Sequence, residues 1–188
     1  MIAKGHDFPN VTLVGIVNAD MGLHFSDYRA PERAFQLITQ VAGRAGRAEK
    51  EGKVILQTYT PRNYVYRFAS NYDYLGFYAK EINLREVTCF PPFSRIVRLL
   101  VVSENRDEAH ATTARMFEAV GNLREKYIED FLYCKAMSSP ITRIENKYRF
   151  QIILRYKLTH SQEIDDEIYR IVSEDKHPKC SVFVEINP

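Results

Sequence analysis

Apolar and polar positions along this chain follow two different rhythms, and the change falls at Phe90-Pro91-Pro92-Phe93. Before it, VTLVGIV at residues 11–17 is apolar on consecutive positions, the pattern of a strand buried on both faces of a parallel sheet. Pro31 then opens a helical stretch, as a first-turn proline does. Phe35, Ile38, Val41 and Ala42 share one face of that helix, and Arg33, Gln36, Gln40, Arg44 and Arg47 share another. Gly43 and Gly46 weaken its last turn, and residues 54–59 read as a second strand. Residues 1–60 thus give strand, helix, strand, a piece of α/β sheet too small to close its own core.

Residues 61–90 are dense in aromatic rings: Tyr64, Phe68, Tyr74, Phe77 and Tyr78 recur at helical spacings. Two short helices packing those rings inward is the reading preferred over base stacking. Two prolines then force an extended segment. Beyond them the pattern is regular. Residues 95–102 form a strand with Val97, Leu99 and Val101 on one face. Residues 107–127 form a helix with Ala109, Thr113, Met116, Val120, Leu123 and Tyr127 along its stripe. Residues 131–137 are a weaker strand. Residues 148–156 alternate, with Tyr148, Phe150, Ile152, Leu154 and Tyr156 to one side and Arg149, Gln151 and Arg155 to the other. A helix through Ile164, Ile168 and Ile171 and a strand through Val182, Val184 and Ile186 complete a β-α-β-β-α-β order over 91–188. That order is the ferredoxin-like, split-βαβ plan.

Composition narrows the picture little. In 188 residues the hydrophobic share is 45% and the net charge +2, so a core is available and no global basic field announces nucleic acid. Cys89, Cys134 and Cys180 lie far apart without metal spacing and read as reduced, mostly buried thiols, so no metal site is expected. No apolar run is long enough to span a bilayer, so no membrane partner is expected and the chain reads as cytosolic. His6 lies within the motif-like stretch described next, and the other four histidines read as surface residues.

The string QVAGRAGR at residues 40–47 carries more. Gln40, Arg44 and Arg47 would share a helical face, and glycines allow a ligand to approach the backbone closely. Converging guanidinium groups suit a phosphoryl group in transfer; an ordinary basic helix end is the bland alternative. Q-x-x-G-R-x-G-R resembles motif VI of the superfamily 2 helicases, and AKGHDFPNV at 3–11 looks like their motif V. With FQLITQVAGRAGR, VILQTY, YDYLGFYAKEINLRE, FPPFSR, YRFQ and VEINP in order, the whole chain is similar to the primosomal protein N′ (PriA) family of replication-restart helicases.

That resemblance implies an ATP- and Mg²⁺-dependent 3′-to-5′ DNA helicase of the bacterial cytoplasm and nucleoid. It implies a partial RecA-like lobe followed by a helical connector and an S10-like ferredoxin domain. Arg44 and Arg47 would stabilise the γ-phosphate, with Gln40, Gly5 and Asp7 beside the nucleotide and Lys4, Arg143 and Arg155 as candidate nucleic-acid contacts. Forked or single-stranded DNA, primosome proteins and the acidic C-terminal tail of single-stranded-DNA-binding protein are the implied partners. Lys147, Arg149 and Gln151, on one strand face, are the candidates for that tail; a solvated strand face is the alternative.

The family's phosphate loop, Asp-Glu-x-His motif and zinc-binding insertion are absent from this sequence. The expectation is a C-terminal fragment that hydrolyses no ATP and binds no cofactor by itself. A non-catalytic DNA- or tail-binding module with a helicase-like remnant is the other reading.

Overall fold

The computed structural model describes residues 11–24, 27–45, 52–175 and 178–188. They fall into two units, Met1–Leu84 and Arg85–Pro188. In the first, β1 (Leu13–Ile16) pairs in parallel with β2 (Lys53–Leu56), Leu13 opposite Lys53 and Ile16 opposite Leu56. Helix α1 (Ala30–Ala42) connects them, with proline in its first turn as the sequence indicates. Helices α2 (Tyr64–Ser70) and α3 (Tyr74–Val87) follow. Asn63 caps α2 by accepting from the Val65 amide at 2.9 Å, one of the donors a helix start leaves orphaned.

Apolar faces of these helices make a small core of Ala34, Phe35, Ile38, Val65, Tyr66, Ala69 and Phe77. Phe77 stacks on Phe35 at 4.3 Å between centroids. The inward packing expected of the rings over 61–90 holds for Phe77 and Tyr66, whereas Tyr74 and Tyr78 are 59% and 52% exposed. The expectation that 11–17 is buried on both faces is corrected: Leu13 is 58% and Val17 77% exposed. A two-stranded sheet has too few neighbours to cover both of its faces.

One carboxylate ties this unit together. Asp20, in a short 3-10 turn after β1, is 2% exposed and takes four hydrogen bonds. They come from the Thr58 hydroxyl (2.8 Å), the Tyr59 amide (2.8 Å), the Thr60 hydroxyl (2.6 Å) and the Tyr66 hydroxyl (3.1 Å). Loops leaving β1 and β2 and the body of α2 are thereby fixed to one another.

The second unit is a four-stranded antiparallel sheet in the order β4-β5-β3-β6, built from β3 (Ser94–Ser103), β4 (Phe131–Ile144), β5 (Lys147–Lys157) and β6 (Ser181–Ile186). Helices α4 (Arg106–Lys126) and α5 (Ser161–Glu174) supply the two crossovers. The β-α-β-β-α-β order read from the sequence is the observed one, and with this strand order the unit has the ferredoxin-like plan. Val97, Leu99 and Val101 of β3 and Phe150, Ile152, Leu154 and Tyr156 of β5 face Ala109, Met116 and Val120 of α4 and Ile164 and Ile168 of α5. Each of the Val, Leu, Ile, Met and Phe side chains among them contributes about 1.5–3 kcal/mol of apolar burial.

Within that core sits a polar exception. The Tyr156 hydroxyl and the Arg95 guanidinium both donate to the buried Asp165 carboxylate. Burial, and then that bond, push the Tyr156 phenol well above its ordinary range. β4 runs to Ile144, well past the expected 131–137, because an irregular register between Ser138 and Arg143 lets its far end rejoin β5. The three cysteines are free and half-buried, where mostly buried thiols were expected.

Two tests follow from these cores. Leu99→Ala, at a site with 0% exposure, is expected to destabilise the second unit by about 2–5 kcal/mol in urea unfolding. Asp20 gives the second. Its carboxyl pKa is held far below the usual value of 3.8, chiefly by the Thr60 hydroxyl and further by Tyr59, Thr58 and Tyr66, against the opposing effect of desolvation. A depressed folded-state pKa gives stability that is present above the unfolded value and lost as pH falls toward the folded one. The melting-temperature advantage of wild type over Asp20→Asn should therefore be full at pH 7 and shrink below about pH 4.

A basic sheet face as the candidate functional site

The arginines that drew attention in the sequence are only partly in view. Lys4, Gly5, Asp7 and Arg47 lie outside the described residues. Gln40 is exposed on the last turn of α1. Helix α1 ends at Ala42, so Arg44 is not on its face as the spacing implied. Instead the Arg44 amide donates to the Val41 carbonyl at 3.2 Å and the Ala45 amide to the Ala42 carbonyl at 3.1 Å. These are three-residue turns, and they rotate Arg44 relative to Gln40. Gly43, as the C-cap, is where the helical bonding stops.

The second unit offers a more complete arrangement. Both of its helices pack on one face of the sheet, so alternate residues of every strand point to the other. On β5 these are Lys147, Arg149, Gln151, Ile153, Arg155 and Lys157. Cross-strand pairing sets Arg149 beside Val102, Gln151 beside Leu100, and Leu100 beside Phe183. The alternation thus delivers the three candidates Lys147, Arg149 and Gln151 to one face, as read from the sequence.

At this end of the face lies an open groove of about 320 Å³, lined by Leu100, Val102, Ile144 and Phe183 with Glu145, Lys147, Arg149 and Glu185. Phe183 is 50% and Ile144 40% exposed, so apolar surface is available to a ligand. The charges beside it are unequal. Glu185 accepts from Nε of Arg98 at 2.8 Å and is occupied by that partner. Lys147 and Arg149 have no carboxylate partner among the described residues.

Several polar groups on the same face are unsatisfied. Gln151 is 5% exposed, and its Oε1 is buried without a hydrogen-bond partner; Nε of Arg149 and Nε of Arg155 are in the same state. Orphaned groups of this kind are costly in a folded chain and are retained where something else satisfies them. A solvated strand face, the bland alternative for this stretch, does not describe Gln151, which its neighbours cover. The two weaker candidates part company. The Arg155 guanidinium lies 4.3 Å from the centroid of Phe90 on the helix-free face. Arg143 stands over Tyr148, a ring that packs against the helix-side core, and donates to Asn146 at 3.2 Å.

Sequence reasoning found the cations but missed the groove floor. A signal was present: Leu99-Leu100-Val101-Val102 is apolar without alternation, which means that both faces of β3 carry apolar side chains. Among the described residues no group of three or more His, Cys, Asp or Glu could hold a metal, and no helix is long and apolar enough to cross a membrane.

The orphaned amide gives a direct test. Gln151→Met removes an unsatisfied acceptor at nearly constant volume. It is expected to change the unfolding free energy by less than about 1 kcal/mol, or to raise it, in urea titration. A larger loss would show that Gln151 has a structural partner.

Comparison with known proteins agrees with this division of the chain. Residues 86–188 match the family described as the primosomal protein N C-terminal domain. A replication restart protein PriA from Bacillus subtilis (strain 168) is 40% identical over 192 residues, covering 100% of this chain and 23% of that protein. The PriA of Synechocystis is 41% identical, covering 83% of this chain and 18% of its own length. That of Treponema pallidum is 38% identical, covering 98% and 27%. This chain therefore spans about a quarter or less of the curated relatives it matches. A de novo designed protein with a ferredoxin fold superposes over 51% of this chain at 11% identity and a TM-score of 0.37, so the fold assignment rests on strand order and register. With a family match over more than half of its residues and relatives aligned along its full length, the chain belongs to the PriA family and carries that family's C-terminal domain at residues 86–188.

Proposed function

We propose that this chain is the C-terminal part of a replication-restart protein, an ATP-dependent 3′-to-5′ DNA helicase that reloads replication at stalled forks. The relatives named for replication restart support that role. In this reading residues 1–60 are the end of a RecA-like second lobe. Arg44 and Arg47 approach a γ-phosphate whose primary site, with Mg²⁺, belongs to residues that this sequence does not contain. Gln40 and Asp7 orient them, Gly5 lies beside the nucleotide, and Lys4 touches the nucleic-acid backbone. Two guanidinium groups can neutralise charge developing on a phosphoryl group but cannot hold the nucleotide and its metal by themselves.

The chain's own binding function is assigned to the helix-free sheet face. One observation carries this: an apolar floor of Leu100, Val102, Ile144 and Phe183 lies directly beside Lys147 and Arg149, and the neighbouring Gln151 on the same face has an orphaned Oε1. An apolar slot edged by unpaired cations suits a short acidic peptide with a large apolar residue, its carboxylates on the cations and its side chain in the slot. The acidic C-terminal tail of a single-stranded-DNA-binding protein has that chemistry.

Two measurements test the reading. Calorimetric titration of an acidic tail peptide into the chain should show saturable binding that Lys147→Glu weakens at least tenfold; unchanged affinity in that variant removes the groove from the reading. In a full-length protein containing this chain, Arg44→Ala should abolish DNA-stimulated ATP hydrolysis while leaving fork binding within about twofold. The loss of one charge-stabilising arginine at a phosphoryl-transfer site typically costs ~10³-fold or more in rate.

A further inference from the structure

The two edges of the four-stranded sheet are finished differently. β4, on one edge, carries the devices that keep an exposed strand from pairing. Its register is irregular between Phe131 and Tyr133 and between Ser138 and Arg143, Pro140 sits within the second irregularity, and Lys135 is exposed. β6, on the other edge, has none of these. Its register with β3 runs unbroken from Val97 opposite Ile186 to Val102 opposite Ser181. Its sequence, SVFVEI, contains no lysine, arginine or proline, and its one charge, Glu185, is held by Arg98. Phe183 and Ile186 are 50% and 41% exposed. Among the described residues no strand lies on its outer side.

The register also tells which backbone groups are open. The Asn187 amide donates to the Ile96 carbonyl at 2.7 Å, one step beyond the Val97 and Ile186 pair. Bonded and non-bonded pairs alternate along an antiparallel ladder, so Glu185, Phe183 and Ser181 turn their amides and carbonyls toward β3. Val182, Val184 and Ile186 turn theirs outward. A β-branched edge with open amides and carbonyls is a template for one more strand.

We propose that β6 pairs antiparallel with β6 of a second copy of this chain, about a two-fold axis at Val184, joining two four-stranded sheets into one. That register sets Val184 against Val184 and Val182 against Ile186, and so uses every outward-facing group. An axis at Phe183 leaves those of Ile186 unused. On the helix-free face it sets Phe183 across from Glu185 of the other copy, so no like charges are opposed. A charged peptide finds no open countercharge along this edge, whereas a second β6 matches it in composition. The contact closes on itself, and the guarded β4 edge supplies no second one, so assembly stops at the dimer. Two six-residue strands bury less than the roughly 1,200 Å² at which stable interfaces begin, so the dimer is a weak one. This pairing does not rest on the groove reading, and peptide binding tests neither for it nor against it.

Sedimentation equilibrium of the whole chain tests the proposal. The mass should rise from 21.9 kDa toward twice that value and no further as concentration is raised about a hundredfold. Ile186→Lys charges the open edge at an exposed position. It should hold the chain at the single-copy mass while shifting the melting temperature by less than about 3 °C. Ile141→Lys on β4 and Val17→Lys beside β1, both at exposed positions, should leave the association unchanged. Amide hydrogen exchange reads the register: Val182, Val184 and Ile186 should slow as concentration rises, while Phe183 and Glu185, already bonded to β3, should not. A chain that stays monomeric across this range overturns the pairing. So does association that survives Ile186→Lys, or that Val17→Lys or Ile141→Lys abolishes. Concentration-dependent protection that misses the three outward amides overturns it as well, and mass beyond the dimer overturns its closure.

Discussion

Two helices on a four-stranded sheet can cover only one of its faces, and the second unit is organised around that constraint. Each βαβ half crosses over through a helix, and α4 and α5 pack on the same side of the sheet. The core then consists of alternate residues of β3 and β5 against both helices. Every intervening residue is delivered to a side that the unit cannot close by itself. Ile96 and Leu100 are nevertheless buried there, at 8% and 4% exposure, and Phe90 lies under Arg155. The uncovered remainder is narrow, apolar at its floor and basic at its rim.

Energetics and function pull against each other on that remainder. A chain selected for stability alone would not bury Gln151 with an unpartnered oxygen or leave Arg149 and Arg155 with buried, unmet Nε donors. The helix-side core shows the contrasting practice. There the buried carboxylate of Asp165 is met by both Arg95 and Tyr156. Within one domain, polar groups are satisfied on one side of the sheet and left waiting on the other. This asymmetry is a stronger indication of a binding surface than cation count, since solvated lysines are ordinary on any protein.

How much of this was legible beforehand depends on which periodicity carried it. Strands β3 and β5 and helices α4 and α5 came directly from two-residue and 3.6-residue patterns, because their neighbours bury one face and leave the pattern clean. β4 was underestimated: its far half rejoins β5 through an irregular register that no alternation announces. β1 misled in the opposite sense. Its consecutive apolar residues specify a strand meant for cover on both sides, and the parallel pair provides no such cover. At the site, alternation placed Lys147, Arg149 and Gln151 together. The floor came from Leu100, Val102 and Phe183, distant in sequence and joined to them only by strand order, with Ile144 just across the β4–β5 turn. Arg44 shows the remaining limit: spacing assumes that a helix continues, and Gly43 ends it.

The Asp20 tie has one further consequence, for how this unit can vary. Its four donors come from residues 58, 59, 60 and 66, one of them a backbone amide that only proline would remove. Loss of any one hydroxyl leaves the carboxylate with three partners, still fully solvated by protein. Loss of the carboxylate takes the shared acceptor from four donors at once, three in the 58–60 loop and one in α2. Tolerance is therefore lopsided: the hydroxyls at 58 and 60 can be lost singly, and that of Tyr66 as long as its buried ring is kept, whereas position 20 can change only if several other positions change with it.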